Sequence, residues 1–153
     1  ILNGIKNTTI IDDTYNAAPT SMHLALDTLK ELPAKRKIAV LGDMLELGKY
    51  TVQAHQEIGN LAGSSVDILV TIGLSAKFIA DSAANQMDSK DIYSFATSDL
   101  AKSKVQELIQ EGDLILVKGS QGIRTEKIVE EIMAEPERKK ELLVRQGEKW
   151  LNK

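Results

Sequence analysis

Five short apolar runs set the limits on how this chain folds: residues 8–12, 37–41, 67–72, 92–95 and 113–117. None of them alternates apolar with polar residues, so each reads as a strand buried on both faces. The stretches between them carry apolar residues at helical spacing. After the first run, Met22, Ala25, Leu26 and Leu29 fall at i, i+3, i+4 and i+7, and Pro19 suits a first helical position. That helix runs to about Leu32-Pro33. A second spans roughly 51–64, with Val52, His55, Gly59 and Ala62 on one face. A third holds Phe78, Ile79 and Ala83. A fourth is capped by Thr97 or Ser98, presents Ala101, Val105, Leu108 and Ile109, and ends with Gly112 as its C′ residue. The last covers 124–134 with Ile128, Ile132 and Met133. Strand followed by helix, five times over, predicts an α/β fold: a doubly wound, mostly parallel sheet with helices on both faces. Right-handed crossovers follow.

A chain of 153 residues is long enough for one such domain with a substantial core. Residues 1–135 read as the α/β domain, and 136–153 as a charged, helix-prone tail packed on it or extending from it. Leu142, Leu143, Trp150 and Leu151 are the tail's anchors. The net charge of −3 gives no electrostatic reason to expect a nucleic-acid or membrane partner. No apolar run approaches the ~20 residues of a membrane helix, so no membrane insertion is expected. The absence of cysteine excludes disulfides and thiolate metal sites and is compatible with a cytosolic protein. The opening Ile1-Leu2-Asn3-Gly4-Ile5, without Met, reads as the interior of a longer protein.

In an open α/β sheet, ligands bind beyond the carboxyl ends of the strands. The polar and glycine-rich sequence collects there. Asp12, Asp13, Tyr15 and Asn16 follow the first run; Gly42, Asp43 and Glu46 the second; Gly73 the third; Thr97 the fourth; Lys118, Gly119 and Ser120 the fifth. Paired carboxylates at Asp12-Asp13 suit a cation or a ribose, or else the amides of their own turn. Asn16 suits a base-edge hydrogen bond or an Asx-turn. Tyr15 suits a stacked ring or the sheet edge. Gly42 lets backbone approach a ligand while Asp43 takes a pair of hydroxyls. Lys118-Gly119-Ser120 combines an ammonium, backbone N–H groups and a hydroxyl, which together make an anion site. His55 reads as a satisfied, partly buried histidine, and His23 as a surface residue.

Several machineries are missing from the chain. It has neither the Gly-x-x-x-x-Gly-Lys-Ser/Thr phosphate loop nor Gly-x-Gly-x-x-Gly nor a Gly-x-Ser-x-Gly elbow. A receiver-like signalling domain or a stand-alone nucleotide-binding module is the alternative. A receiver needs an Asp at the third strand end, where Thr71-Ile72-Gly73 stands, and a proline after its lysine, where Gly119 stands.

Taken in order, Asp12-Asp13-Thr14-Tyr15-Asn16-Ala17-Ala18-Pro19, Val40-Leu41-Gly42-Asp43-Met44-Leu45-Glu46-Leu47-Gly48, His55 with Gly59, and Val117-Lys118-Gly119-Ser120-Gln121-Gly122 resemble the C-terminal domain of the Mur ligases. Among these they are most similar to the ligases that join D-alanyl-D-alanine to UDP-N-acetylmuramoyl-tripeptide. The resemblance runs from about Gly4 to about Met133. Ala18 stands where the family's turn commonly has a second Asn, and Gln121 where Arg is common. The resemblance implies an ATP-dependent enzyme of peptidoglycan precursor synthesis. ATP phosphorylates the tripeptide carboxylate, and the amine of the dipeptide then displaces phosphate to form an amide. It also implies that the phosphate loop, the Mg ligands and the nucleotide-sugar site lie in preceding domains, and that this domain alone is inactive. It would close over a central ATPase domain. The Tyr15-Asn16 turn would cover ATP, Asp43 would hold the ribose, and Lys118, Gly119 and Ser120 would position D-alanyl-D-alanine. Asp13, Gly42, Glu46 and His55 would support them. No catalytic residue and no metal ligand is expected within the domain itself.

Overall fold

The computed structural model of the chain describes residues 1–143. Its strands are β1 (Leu2–Gly4), β2 (Thr8–Asp13), β3 (Lys37–Gly42), β4 (Ile68–Ile72), β5 (Ile92–Phe95) and β6 (Leu114–Lys118). Its α-helices are α1 (Pro19–Glu31), α2 (Thr51–Gly63), α3 (Lys77–Ala83), α4 (Ser98–Leu108), α5 (Glu126–Ile132) and α6 (Lys139–Leu142). The five expected strands are all present and all parallel to one another. A sixth, β1, was not anticipated. It pairs antiparallel with β2 through a turn in which Lys6 and Asn7 both take positive φ. Its other side meets the chain after α5, where Gly4 bridges Met133 and the Ala134 N–H donates to the Asn3 carbonyl at 2.9 Å. The open edge of the sheet is thereby blunted rather than left as a pairing template.

The strand order is β1-β2-β6-β3-β4-β5. Side chains alternate between two apolar layers because successive strand residues point to opposite faces. On one face Ala39, Leu41, Leu69 and Leu116 pack against Met22, Leu26 and Leu29 of α1, Ile58 and Ala62 of α2, and Ile79 and Ala83 of α3. On the other face Ile38, Val40, Val70, Ile115 and Val117 meet Ala101, Val105 and Ile109 after and within α4, and Ile128, Val129 and Ile132 of α5. Every strand but the edge pair is therefore covered twice, as the unbroken apolar runs require. Leu143 joins the second layer. Trp150 and Leu151, the other expected tail anchors, lie outside the described residues.

Local signals behave as their chemistry dictates, with three departures. Pro19 opens α1, and Ser21 Oγ accepts the Ala18 N–H at 3.0 Å. Thr97 caps α4, its hydroxyl oxygen accepting the Leu100 N–H at 3.3 Å. Gly112 is not the C′ residue of α4. That helix stops at Leu108 with Ile109 extended, and Gly112 takes its φ of +81° in the turn that leads into β6. Val52 is exposed, so the buried stripe of α2 is Ala54, His55, Ile58, Gly59 and Ala62. The last helix starts later than expected: a 3-10 turn at Gln121–Ile123 precedes α5. At the amino end of the sheet, Arg36 grips Asp113 with two hydrogen bonds of 3.0 and 2.7 Å and donates to the Leu108 carbonyl. This fork ties β3, β6 and α4 together on the side away from the polar loops.

Candidate functional site at the carboxyl edge

The strand order fixes where a ligand fits. The helices after β2 and β3 go to one face, and the helix after β6 goes to the other. Because β6 lies between β2 and β3, its loop leaves in the direction opposite to the loops on both its flanks, and a crevice opens at its carboxyl end. A cavity of about 570 Å³ occupies that place, lined by Asn16 from the β2 loop, Leu45 and Glu46 from the β3 loop, and Ser120, Gln121, Gly122 and Arg124 from the β6 loop. A dipeptide or part of a nucleotide fits a space of this size.

The three loops are held in register by groups expected to bind ligand. The parallel pairing of β2 with β6 sets Asp13 beside Lys118. Lys118 Nζ donates to Asp13 Oδ2 and to the Asn16 carbonyl, both at 2.9 Å. The lysine side chain is 3% exposed and the aspartate 44%. Ser120 is stitched in three directions. Its hydroxyl accepts the Leu45 N–H at 2.9 Å and donates to the Ala17 carbonyl at 3.2 Å, and its N–H donates to the Asp43 carbonyl at 2.9 Å. Lys118 and Ser120 are thus turned inward. At Lys118-Gly119-Ser120, where an anion site was expected, the ammonium and the hydroxyl tie the loops together, and Ser120 also lines the cavity. Gly119 belongs to the same construction. A Cβ on it would come within 3.1 Å of Gly42 Cα and 2.8 Å of Thr125 Cγ2, so the two glycines let β3 and β6 meet beneath the Ile123–Thr125 segment.

Asp43 is likewise turned away from the cavity. It is only 6% exposed, and its Oδ1 accepts the Ala76 N–H at 2.6 Å. Burial pushes its carboxyl above the usual carboxylate range, against the pull of the Ala76 and Ser75 N–H groups. Gly73, at φ +116°, passes so close that a Cβ there would sit 2.3 Å from Asp43 Oδ1. Asp43 therefore shapes the loop from β4 to α3, and a ribose contact would require it to give up that place. His55 is fully buried. Nδ1 lies 2.6 Å from the Thr51 carbonyl and Nε2 accepts the Met44 N–H at 3.0 Å. Only the tautomer with hydrogen on Nδ1 satisfies both, so the ring is a neutral strut under the β3 loop. His23 is exposed and lies 3.3 Å from Asp27.

Asp12 does not face this cavity. With Asp13, Ile11, Ser21, Leu24, Ala25 and Thr28 it borders a shallower groove beside α1. Its Oδ1 accepts the Thr14 hydroxyl at 2.7 Å, and burial pushes its carboxyl up despite that bond. The adjacent carboxylates thus border the same groove but answer to different partners, Asp12 to the Thr14 hydroxyl and Asp13 to the Lys118 ammonium. Tyr15 stands 63% exposed at the tip of the turn. The cavity residues that sequence reasoning did not single out for a role are Leu45, Gln121, Gly122 and Arg124. Arg124 carried one signal, a guanidinium six residues beyond Lys118 on the same strand-to-helix connection.

A doubly wound α/β domain with its crevice at the carboxyl end of one strand is the class that fold and site define. The family described as the Mur ligase, glutamate ligase domain, matches residues 1–121, and the chain belongs to it. It is 36% identical over 129 residues to UDP-N-acetylmuramoyl-tripeptide–D-alanyl-D-alanine ligase of Bacillus subtilis, covering 83% of this chain and 28% of that protein. It is 34% identical over 127 residues to the ligase of the same name from Rickettsia prowazekii, covering 82% and 28%. Among solved structures, MurF from Acinetobacter baumannii superposes with a TM-score of 0.71 at 32% identity, over 84% of this chain and 29% of that one. MurF ligase from Thermotoga maritima in complex with ADP does so with a TM-score of 0.69 at 27% identity, over 86% and 29%. The chain spans less than a third of the length of each of these relatives.

Proposed function

We propose that this chain is the C-terminal domain of an ATP-dependent, amide-bond-forming ligase that joins D-alanyl-D-alanine to UDP-N-acetylmuramoyl-tripeptide in the cytoplasm, a step of peptidoglycan precursor synthesis. The observation that carries the reading is the cavity at the β6 end, built from the three loops that hold the motifs by which the chain resembles such ligases. ATP supplies the phosphoryl group that activates the tripeptide carboxylate. The residues present suit a capping role toward the nucleotide. Asn16 offers its amide at the cavity rim, and the Tyr15 ring, exposed at the tip of the same turn, is placed to lie on a base or sugar. Asn16 and Tyr15 are the proposed nucleotide contacts, with Asp13, Lys118 and Ser120 fixing the turn that presents them. Among the described residues, no three carboxylate or histidine side chains converge into a metal site. The proposal places the Mg ligands and the phosphate loop in a preceding central domain, over which this one closes. Closure would orient the incoming amine and keep water from the activated carboxyl.

The test is ligation by the full-length protein supplied with ATP, Mg, the tripeptide substrate and D-alanyl-D-alanine. ADP release that requires both peptide substrates, with formation of the pentapeptide product, is expected. Nucleotide binding without amide formation would favour a stand-alone nucleotide-binding module instead.

A further inference from the structure

The described chain holds four non-glycine residues at positive φ: Lys6, Asn7, Glu46 and Arg124. Lys6 and Asn7 make the β1–β2 turn. Glu46, at φ +64°, and Arg124, at φ +59°, come from different loops and line the same cavity. A residue with a Cβ costs about 1 kcal/mol or more in this region, where glycine costs nothing. Two charged side chains of opposite sign are therefore each kept at a conformational penalty, on opposite loops of one crevice. Strain of this kind collects where a side chain must be presented to a ligand.

We propose that Glu46 and Arg124 recognise the two ends of a zwitterionic amino substrate, Glu46 the ammonium and Arg124 the carboxylate. Arg124 is mostly buried, and its Nε donates to Glu126 Oε1. A guanidinium held in this way loses little rotamer freedom when it takes a carboxylate. Its charge is already answered by Glu126, so a simple anion gains less there than a zwitterion that also satisfies Glu46. The rest of the lining, Asn16, Ser120, Gln121, Gly122 and Leu45, is uncharged. The crevice thus offers one cation and one exposed anion across a space large enough for a dipeptide. Lys118, the residue expected to carry the anion contact, is committed to Asp13.

The inference rests on the ligase reading, and the experiment separates the two. Steady-state kinetics are measured on the full-length protein and its Glu46→Gln and Arg124→Lys variants, varying D-alanyl-D-alanine and ATP in turn. Inhibition by N-acetyl-D-alanyl-D-alanine, which lacks the ammonium, is measured alongside. Glu46→Gln is expected to raise the KM for the dipeptide about tenfold while the KM for ATP stays within about twofold, the scale of one lost charge-assisted hydrogen bond. The same variant is expected to bind the N-acetylated dipeptide as well as the parent does. Arg124→Lys is expected to weaken the dipeptide and its N-acetyl analogue alike. A dipeptide KM that Glu46→Gln leaves unchanged, or that rises only in step with the KM for ATP, overturns the pair. If the unmodified protein ligates a different amino acid, the dipeptide reading fails, and the pair stands when Glu46→Gln raises the KM for that amino acid. A protein with no ligase activity overturns both.

Discussion

Lys118 shows how a residue's chemistry can be legible in the sequence while its direction is not. An ammonium at the end of a buried strand needs an anion, and the sequence offered a ligand's; the structure answers it with Asp13, one strand away. The pairing was hidden because the two residues are 105 positions apart and adjacency depends on strand order. The asymmetry of burial yields a prediction. Removing Asp13 strands a buried ammonium, whereas removing Lys118 leaves a half-exposed carboxylate that water can reach. Asp13→Ala is expected to cost about 3 kcal/mol in urea unfolding and Lys118→Met about 1. The reverse order would show that the pair contributes through the carboxylate's environment instead. Asp12 gives a second prediction. Burial raises its carboxyl above the ordinary 3.8, so the fold binds that proton more tightly than the unfolded chain does. Its contribution to stability therefore falls as pH rises from about 4 toward neutrality. Asp12→Asn is expected to raise the urea midpoint at pH 7 and to lose that advantage near pH 4. A larger advantage at pH 4 would reverse the sign and contradict the burial argument.

Elements were more legible than their ends. The period and composition of five strands and five helices appear in the sequence because each is covered on predictable faces. What escaped was either very short or decided at long range. β1 has three residues, two of them Asn and Gly, and exists because β2 and the chain after α5 flank it. The stop of α4 before Gly112 is set by the Arg36 fork on the Leu108 carbonyl and the turn into β6 as much as by local residues. Gly59 could be read as part of a buried face, but not the closeness of α3 to it. A Cβ at Gly59 would lie 2.3 Å from the Ile79 carbonyl oxygen and 2.8 Å from Ser82 Cβ. Helix propensity favours alanine over glycine there by about 1 kcal/mol, and the backbone contact opposes it by more. Gly59→Ala is expected to lower stability by about 2 kcal/mol in thermal or urea unfolding. An unchanged or raised midpoint would mean that α2 and α3 can separate at little cost.

At the scale of the whole molecule, the alternation of strand and helix predicted the fold class, and the cavity opens at the sheet end where it led a ligand to be expected. It could not show that the last strand inserts between the first and second of the parallel set, which is what creates the crevice. For the same reason Arg124 was passed over and the Asp43 bond to the Ala76 N–H was not foreseen: both depend on how loops cross once the strands are in place. Domain-scale logic then decides the function. The chain carries a lined crevice and no phosphate loop, and the proposed ligase reaction therefore calls for a surface supplied by another part of the polypeptide. The direct test compares UDP-N-acetylmuramoyl-pentapeptide formation by the full-length protein with formation by a version truncated just before Ile1, under saturating ATP, tripeptide and D-alanyl-D-alanine. The account predicts product from the first and none above background from the second. Ligation that survives loss of residues 1–153 would contradict it.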